Sequence, residues 1–234
     1  MKAIILAAGQ GKRIKNHHNI PKAFIEIPNT KNTLIERNIE ILKKYGVKKF
    51  VIVTGFKNNY FKRLRTKNII LKKVNNFKKY NNYYSLLSIK RYIKGKLIIL
   101  FSDILINEKI IKELIHTKNK DICLVIDKSK KLNDTMRIII KNNHISDIGS
   151  HIDPKYSNGN FIGIAKFNNK GSKILNKNLK NDQRFFKDYY VKALNDKLIK
   201  KNVKYIDAKK KFWLEIDSKK DLIKLNSIKI NQLK

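Results

Sequence analysis

The chain has 234 residues, 42% of them apolar, and carries 54 Lys and Arg against 18 Asp and Glu, a net charge of +36. That length suits one domain with a proper core, and the even spread of apolar residues excludes a disordered chain. No apolar run approaches the roughly 18 residues of a membrane span, residues 1–8 lack a signal-peptide pattern, and the single Cys123 makes neither an intrachain disulfide nor a Cys-based zinc site.

These features predict a soluble cytoplasmic protein in which Cys123 is a buried structural thiol. In chain order, Ala3–Ala8 reads as a buried strand that breaks into Gly9-Gln10-Gly11-Lys12-Arg13. Thr33–Tyr45 reads as an amphipathic helix closed by Gly46. Lys49–Thr54 is a strand, Asn58–Arg65 a short helix, Ile69–Val74 a strand and Asn82–Ile93 a helix. Leu97–Phe101 is a strand ending in Ser102-Asp103, followed by a helix over Asn107–His116 and a strand over Ile122–Ile126. From Thr135 the rhythm changes, and Met136–Ile140 and His144–Ile148 read as a hairpin about Asn142-Asn143. Phe161–Phe167 is a strand, with helices at Lys170–Leu179 and Asp182–Ile199. A strand at Val203–Ile206 leads to Trp213–Asp217 and a last helix, Ser218–Ile228. The alternation predicts an α/β fold: a Rossmann-like, mainly parallel twisted sheet with right-handed crossovers and helices on both faces. We expect one domain over 1–234, with a small β-rich excursion around 130–165.

The charge invites a nucleic-acid reading, but its detail argues against one. Only 7 of the 54 cations are Arg, whereas phosphate and base recognition usually enriches Arg for its bidentate fork. The Lys residues run along the whole chain among many Asn and Ile, without a basic tail or a single basic helix. We therefore expect no specific nucleic-acid partner and no membrane partner. A positive surface would still steer a polyanionic small molecule. The oligomeric state is left open, a homodimer included.

Chemistry gathers where open α/β sheets bind ligands, beyond the carboxyl ends of the strands. Gly9 and Gly11 let the backbone approach a ligand, their N–H groups can form an anion nest, and Lys12 and Arg13 add charge beside it. A Walker loop is excluded because Arg13 follows Gly11-Lys12, and a dinucleotide fingerprint because Ile14 stands where its third glycine belongs. Further candidate segments are Asn75–Ser85, Ser102-Asp103 and Glu215-Ile216-Asp217. Two acids at strand ends in one cleft would suit a hard divalent cation shared with phosphates. Each also has a plainer reading: Asp103 as a turn residue or helix cap, Asp217 as the cap of the last helix.

The order of these motifs bears on that choice. Leu6-Ala-Ala-Gly-Gln-Gly-Lys-Arg13, followed by Pro21-Lys22, resembles the signature of the MobA-like nucleotidyltransferase family, which joins a nucleoside triphosphate to a small phosphorylated substrate. Ile98–Leu105 looks like the strand presenting the first metal-binding Asp in cytidylyltransferases of this fold. Trp213-Leu-Glu-Ile-Asp217-Ser-Lys-Lys-Asp-Leu222 resembles their C-terminal motif, whose first Asp is the second metal ligand. Asn81-Asn-Tyr-Tyr-Ser-Leu86 is similar to a stretch of phosphocholine cytidylyltransferases, while Asp134–Arg137 and Gly159–Phe167 look like relatives that activate 2-aminoethylphosphonate. The resemblance runs from Met1 to about Leu225. It departs at Lys15-Asn-His-His18, where many relatives carry Pro-Leu-Thr, and at Ser150-His151, often more basic in the phosphonate-type enzymes.

The resemblance implies a Mg²⁺-dependent transfer of CMP from CTP to a small phosphorylated or phosphonate amine such as phosphocholine or 2-aminoethylphosphonate, releasing pyrophosphate. It implies catalytic roles for Arg13, Lys22, Asp103 and Asp217, the last two holding Mg²⁺. Leu6, Ala7, Ala8, Gly9, Gly11, Lys12, Arg13, Asn81, Ser85 and Ser102 would bind the nucleotide. Asn81 and Ser85 can read a pyrimidine edge, and cytosine rests on the resemblance alone. Tyr83, Asp188, Tyr189, Trp213 and Glu215 are suitable residue types for holding an acceptor amine, and each also suits ordinary core packing. His17 and His18 read as an exposed loop pair. A sugar-phosphate nucleotidyltransferase and a non-catalytic basic nucleic-acid-binding protein stand as the alternative readings.

Overall fold

In the computed structural model, residues 1–14, 19–118, 120–129, 135–195 and 203–234 are described. The apolar runs become strands β1 (Lys2–Ala7), β2 (Lys49–Thr54), β3 (Ile69–Lys73) and β4 (Leu97–Phe101); β1, β2 and β4 are largely buried on both faces, while the edge strand β3 is mostly exposed or half-buried. A short β5 (Ile104–Ile106) follows at once, then β6 (Ile122–Asp127), the hairpin β7 (Arg137–Lys141) and β8 (His144–Gly149), and the long β9 (Gly159–Phe167). β10 (Val203–Asp207) and β11 (Trp213–Glu215) complete the set. The helices are α1 (Leu34–Lys44), α2 (Asn82–Leu87), α3 (Glu108–His116), α4 (Asn169–Asn178) and α5 (Lys219–Asn226).

The central sheet has the order β10-β6-β9-β4-β1-β2-β3, with the hairpin attached to β9. β1–β4 and the β6–β10 pair run parallel, while β9 is inserted antiparallel between β4 and β6. Successive side chains of a strand point to opposite faces, and the sheet therefore has two cores. Ala3, Ile5 and Ala7 of β1 pack with Ile35, Ile39 and Leu42 of α1 and Ile110, Ile111 and Leu114 of α3. Ile4 and Leu6 face the other way, in the core that holds Tyr83 and Leu86 of α2 and Leu175 of α4. From β1 the chain moves outward through β2 and β3, then returns to place β4 on the other flank of β1. That reversal opens a crevice at the carboxyl ends of β1 and β4, the usual ligand position in such sheets.

Local chemistry explains the boundaries. Thr33 and Glu36 form a capping box at the start of α1, and Gly46 beyond its end has φ +87°. Asn142 and Asn143 both take left-handed φ (47° and 58°), as a two-residue hairpin turn requires. Two expected helices change form. The expected Asn82–Ile93 helix stops at Leu87 and continues as a 3₁₀ turn over Lys90–Tyr92. The expected Asp182–Ile199 helix is replaced, within the described residues, by 3₁₀ turns at Gln183–Phe185 and Tyr190–Leu194; residues 196–199 lie outside them. Its carbonyls are spent elsewhere: Phe186 O accepts from Asn81 N at 2.8 Å and Asp188 O from Tyr83 N at 3.2 Å. Backbone groups committed to a neighbouring segment cannot close helical turns. β5 was not expected; it pairs antiparallel with β11 in a two-stranded ribbon. Among the described residues, no helix is long and apolar enough to cross a membrane.

Candidate active site

The loop after β1 opens the crevice. The N–H groups of Gly9, Gln10 and Gly11 find no protein acceptor among the described residues, leaving donors for an anion. The two glycines differ in kind. Gly11 has φ +61°, and a Cβ there would stand 3.2 Å from Cγ and 3.3 Å from Cε of Lys22. Gly9 has ordinary φ, and a Cβ there would meet no protein atom within 4 Å. Gly11 is thus needed by the fold, since the stem of Lys22 runs against it, while any demand for glycine at position 9 comes from what enters the crevice.

Lys22 is held by its neighbours. Pro21 precedes a 3₁₀ turn over Lys22–Phe24, and Ala23 and Phe24 are buried, Phe24 packing edge-on against Phe61 at 4.8 Å. The ammonium so placed reaches Asp103 Oδ2 at 3.2 Å and also bonds Asp217 Oδ1. Burial works to lower the Lys22 pKa, but the two carboxylates outweigh it and the net direction is upward. Arg13, more than half exposed, lies 3.6 Å from Asp217 Oδ2.

The acids are brought together by the ribbon of β5 and β11. Glu215 pairs with Ile104, and Ile216 N donates to Asp103 O at 2.9 Å. Asn38 of α1 anchors the ribbon from behind by donating to Ile104 O at 3.0 Å. The capping alternatives for the two aspartates do not hold. Asn107 caps α3, its Oδ1 accepting from Lys109 N at 2.9 Å, and Ser218 with Asp221 forms the capping box of α5. Asp221 Oδ2 also accepts from Asp217 N at 3.1 Å, which fixes the backbone and leaves the Asp217 carboxylate to face Lys22.

One oxygen from each of Asp103, Glu215 and Asp217 lies within 4.8 Å of the others. Burial first, and then the charges of Asp103 and Asp217, push the Glu215 carboxyl up to about 8. Three carboxylates crowded in this way favour a partner of high positive charge. An all-oxygen donor set of this kind fits a hard divalent cation.

The expected site residues sort into two groups. Leu6, Ala7, Ala8, Gly9, Gly11, Arg13, Lys22, Asn81, Ser85, Ser102, Asp103, Tyr189, Glu215 and Asp217 line the crevice together. Lys12 does not; its side chain is exposed outside the lining. Tyr83 is buried in the core beneath α2, its hydroxyl accepting from Lys180 N at 2.9 Å. Trp213 is buried on β11 and donates from Nε1 to Asp127 Oδ2 at 2.7 Å, so it anchors the ribbon. Asp188 stands outside the lining and contributes its carbonyl to Tyr83 N. Lys15–His18 and Asp134 lie outside the described residues. Reading the sequence missed Phe77, Tyr80, Asn82 and Phe101, which also line the crevice. Phe77 and Tyr80 fall in the segment singled out over Asn75–Ser85, but two aromatics in a Lys/Asn-rich turn carry no signal of direction. Burial and Glu215 raise the Tyr189 phenol, offset in part by its hydrogen bond to Asn81.

A sheet with a glycine loop and an acidic cluster at the same end defines a nucleotide-transferring enzyme. Residues 3–150 match the MobA-like NTP transferase domain, and the chain belongs to that family. It is 28% identical over 251 aligned positions to the CTP:phosphoglutamine cytidylyltransferase of Campylobacter jejuni, covering 95% of this chain and 98% of that one. It is 37% identical over 101 residues to the choline-phosphate cytidylyltransferase of Streptococcus pneumoniae, a match to 42% of this chain that spans only 43% of that relative's length. The solved structure of a CTP:phosphocholine cytidylyltransferase from S. pneumoniae superposes with a TM-score of 0.79 at 23% identity, covering 96% and 97% of the two chains; that likeness concerns the fold.

Proposed function

We propose that this protein transfers CMP from CTP to the phosphate or phosphonate oxygen of a small amine-bearing acceptor and releases pyrophosphate, with Mg²⁺ at the acidic cluster. The observation that carries the reading is the placement of Lys22 between Asp103 and Asp217, with Glu215 beside them, facing the free N–H groups of the glycine loop. CTP and an acceptor of this size are supported by the named activities of the two relatives.

The acceptor oxygen is already anionic near neutral pH, so the reaction needs placement and charge neutralisation more than a base. The oxygen bonds to the α-phosphorus as the bond from that phosphorus to the bridging oxygen breaks, and pyrophosphate carries the electron pair away. Loop N–H groups hold the phosphates, and Arg13 and Lys22 offset the charge that moves toward the leaving group. Asp103 and Asp217 would hold the divalent cation, which when bound supplies positive charge shared among the phosphates. Asn81 and Ser85 present polar groups to the base. Tyr189 and Glu215 stand at the acid end of the crevice, a suitable pair for an acceptor ammonium. A pyrophosphate-release panel tests the whole: CTP and UTP against phosphocholine, 2-aminoethylphosphonate, phosphorylated amino-acid amides and sugar phosphates. Turnover is expected with CTP and at least one phospho- or phosphono-amine. Activity confined to sugar phosphates, or none with any pair, would overturn the assignment.

A further inference from the structure

Four aromatic residues line the crevice, and their surroundings separate them. Phe101 packs edge-on to Phe161 and Tyr190, each at 6.1 Å, at the sheet surface. Tyr80 belongs to a cluster with Tyr84 at 4.7 Å and Phe186 at 5.0 Å. Tyr189 has no ring neighbour among the described residues, but it stands by Glu215 at the acid cluster. Phe77 is different. Among the described residues no other ring lies against it either, yet it is half-buried in the wall of the crevice.

Its position is enforced from both sides. The turn that carries it is braced by Asn76, whose carbonyl accepts from Lys79 N and Tyr80 N, both at 3.0 Å, and whose amide reaches the Tyr84 hydroxyl at 3.3 Å. Gly55, just past β2, supplies the space. A Cβ there would stand 2.6 Å from Phe77 Cγ and 2.6 Å from Ala8 O, and Ala8 O also accepts from Phe56 N at 3.2 Å. Gly55 needs no left-handed φ, so its missing side chain serves close packing alone. The ring is therefore seated at the junction of the loops after β1, β2 and β3, beside the glycine loop.

A nucleobase needs two things from a protein: polar groups at its edge and a flat apolar surface against its face. Asn81 and Ser85 can provide the first. We propose that Phe77, seated by Gly55, is the platform on which the base of the nucleotide stacks. This rests on the nucleotidyl-transfer reading above. Stacking is tolerant of base identity, so Phe77 sets nucleotide affinity while leaving the choice between cytosine and uracil to the polar edge.

Titration calorimetry of the full chain in Mg²⁺, with CTP, UTP and inorganic tripolyphosphate, tests this. Phe77→Leu keeps apolar bulk without a ring; it should weaken CTP and UTP binding by the same factor, about tenfold or more, and leave tripolyphosphate within about twofold. Phe77→Trp should bind CTP within about threefold of the wild type. Gly55→Ala should weaken CTP and UTP at least as much as Phe77→Leu does and tripolyphosphate as well, because its methyl group would meet both the ring and Ala8 O. If the wild type binds CTP and Phe77→Leu binds it equally well, the platform is refuted while the proposed function stands. If Phe77→Leu loses tripolyphosphate to the same extent, the residue only props the loop and the proposal fails. Should the wild type bind neither CTP nor UTP, the nucleotidyl-transfer reading falls, and the platform with it.

Discussion

The two ends of the crevice are built in different ways. The glycine-loop end is nearly contiguous: Leu6 to Arg13 is one strand end and one loop, with Lys22 close behind. The other end holds Tyr189 and Glu215, which come from separate stretches of the chain. Contiguous sites follow from local backbone conformation, whereas assembled ones depend on the tertiary fold that brings their parts together. The glycine-loop end should therefore respond to changes of backbone and charge, and the end with Tyr189 and Glu215 to packing as well.

The largest effect is expected where the two ends meet. Asp103→Asn and Asp217→Asn should each lower turnover at least about a hundredfold. Their melting temperatures should stay within about 2 °C of the wild type, since Asn107 and the Ser218–Asp221 pair do the capping. Near-normal turnover of either variant at saturating Mg²⁺ would remove that residue from the site. Next comes Lys22→Ala, which should cut kcat about thirtyfold with little change in KM for CTP, the mark of a contact made in the transition state. A loss confined to KM would make Lys22 a simple binding residue.

At the acceptor end, Tyr189→Ala should raise the acceptor KM about tenfold and leave the KM for CTP alone. Tyr83→Phe should leave both unchanged and cost about 1 kcal/mol of stability through its lost hydrogen bond. If the pair behaves the other way round, the crevice has been assigned to the wrong tyrosine. The glycines offer a finer contrast. Gly11→Ala should destabilise by about 1 kcal/mol because of its left-handed φ and the Lys22 stem, while Gly9→Ala should melt like the wild type and weaken only nucleotide binding. Equal melting losses for the two would erase the distinction. The smallest effect belongs to Cys123, whose thiol burial pushes up to about 11. The thiolate is the reactive form, so at pH 8.5 the folded protein should resist iodoacetamide and the denatured protein should react readily. Rapid labelling of the native chain would show that the core around β6 opens.

These contrasts also mark what could be read in the sequence. The strands of the parallel sheet were legible as apolar runs closed by Gly, Asp or Asn, and the glycine loop, Lys22, Asp103 and Asp217 fall in one crevice as expected. The form of residues 182–194 was not legible, because Phe186 and Asp188 lend their carbonyls to residues 81–83, a tertiary choice that leaves no local trace. The same coupling carries Tyr83 into the core, though its neighbours Asn81 and Asn82 line the crevice. Trp213 reads equally well as a binding or a structural aromatic until Asp127 is seen to accept from its indole. β5 has three residues, too short for any periodicity, and only its pairing with β11 reveals it.

The ribbon also places the chemistry in time. Asp103 is synthesised well ahead of its partners Glu215 and Asp217. A nascent chain can lay down β1 to β4 and the helices between them as they appear, in the order in which domains generally form during synthesis. Until residues 213–217 are free to pair with β5, it has a phosphate loop and one lone carboxylate. A chain that stops short of residues 213–217 thus carries the loop and both cores without the two acids that complete the cluster.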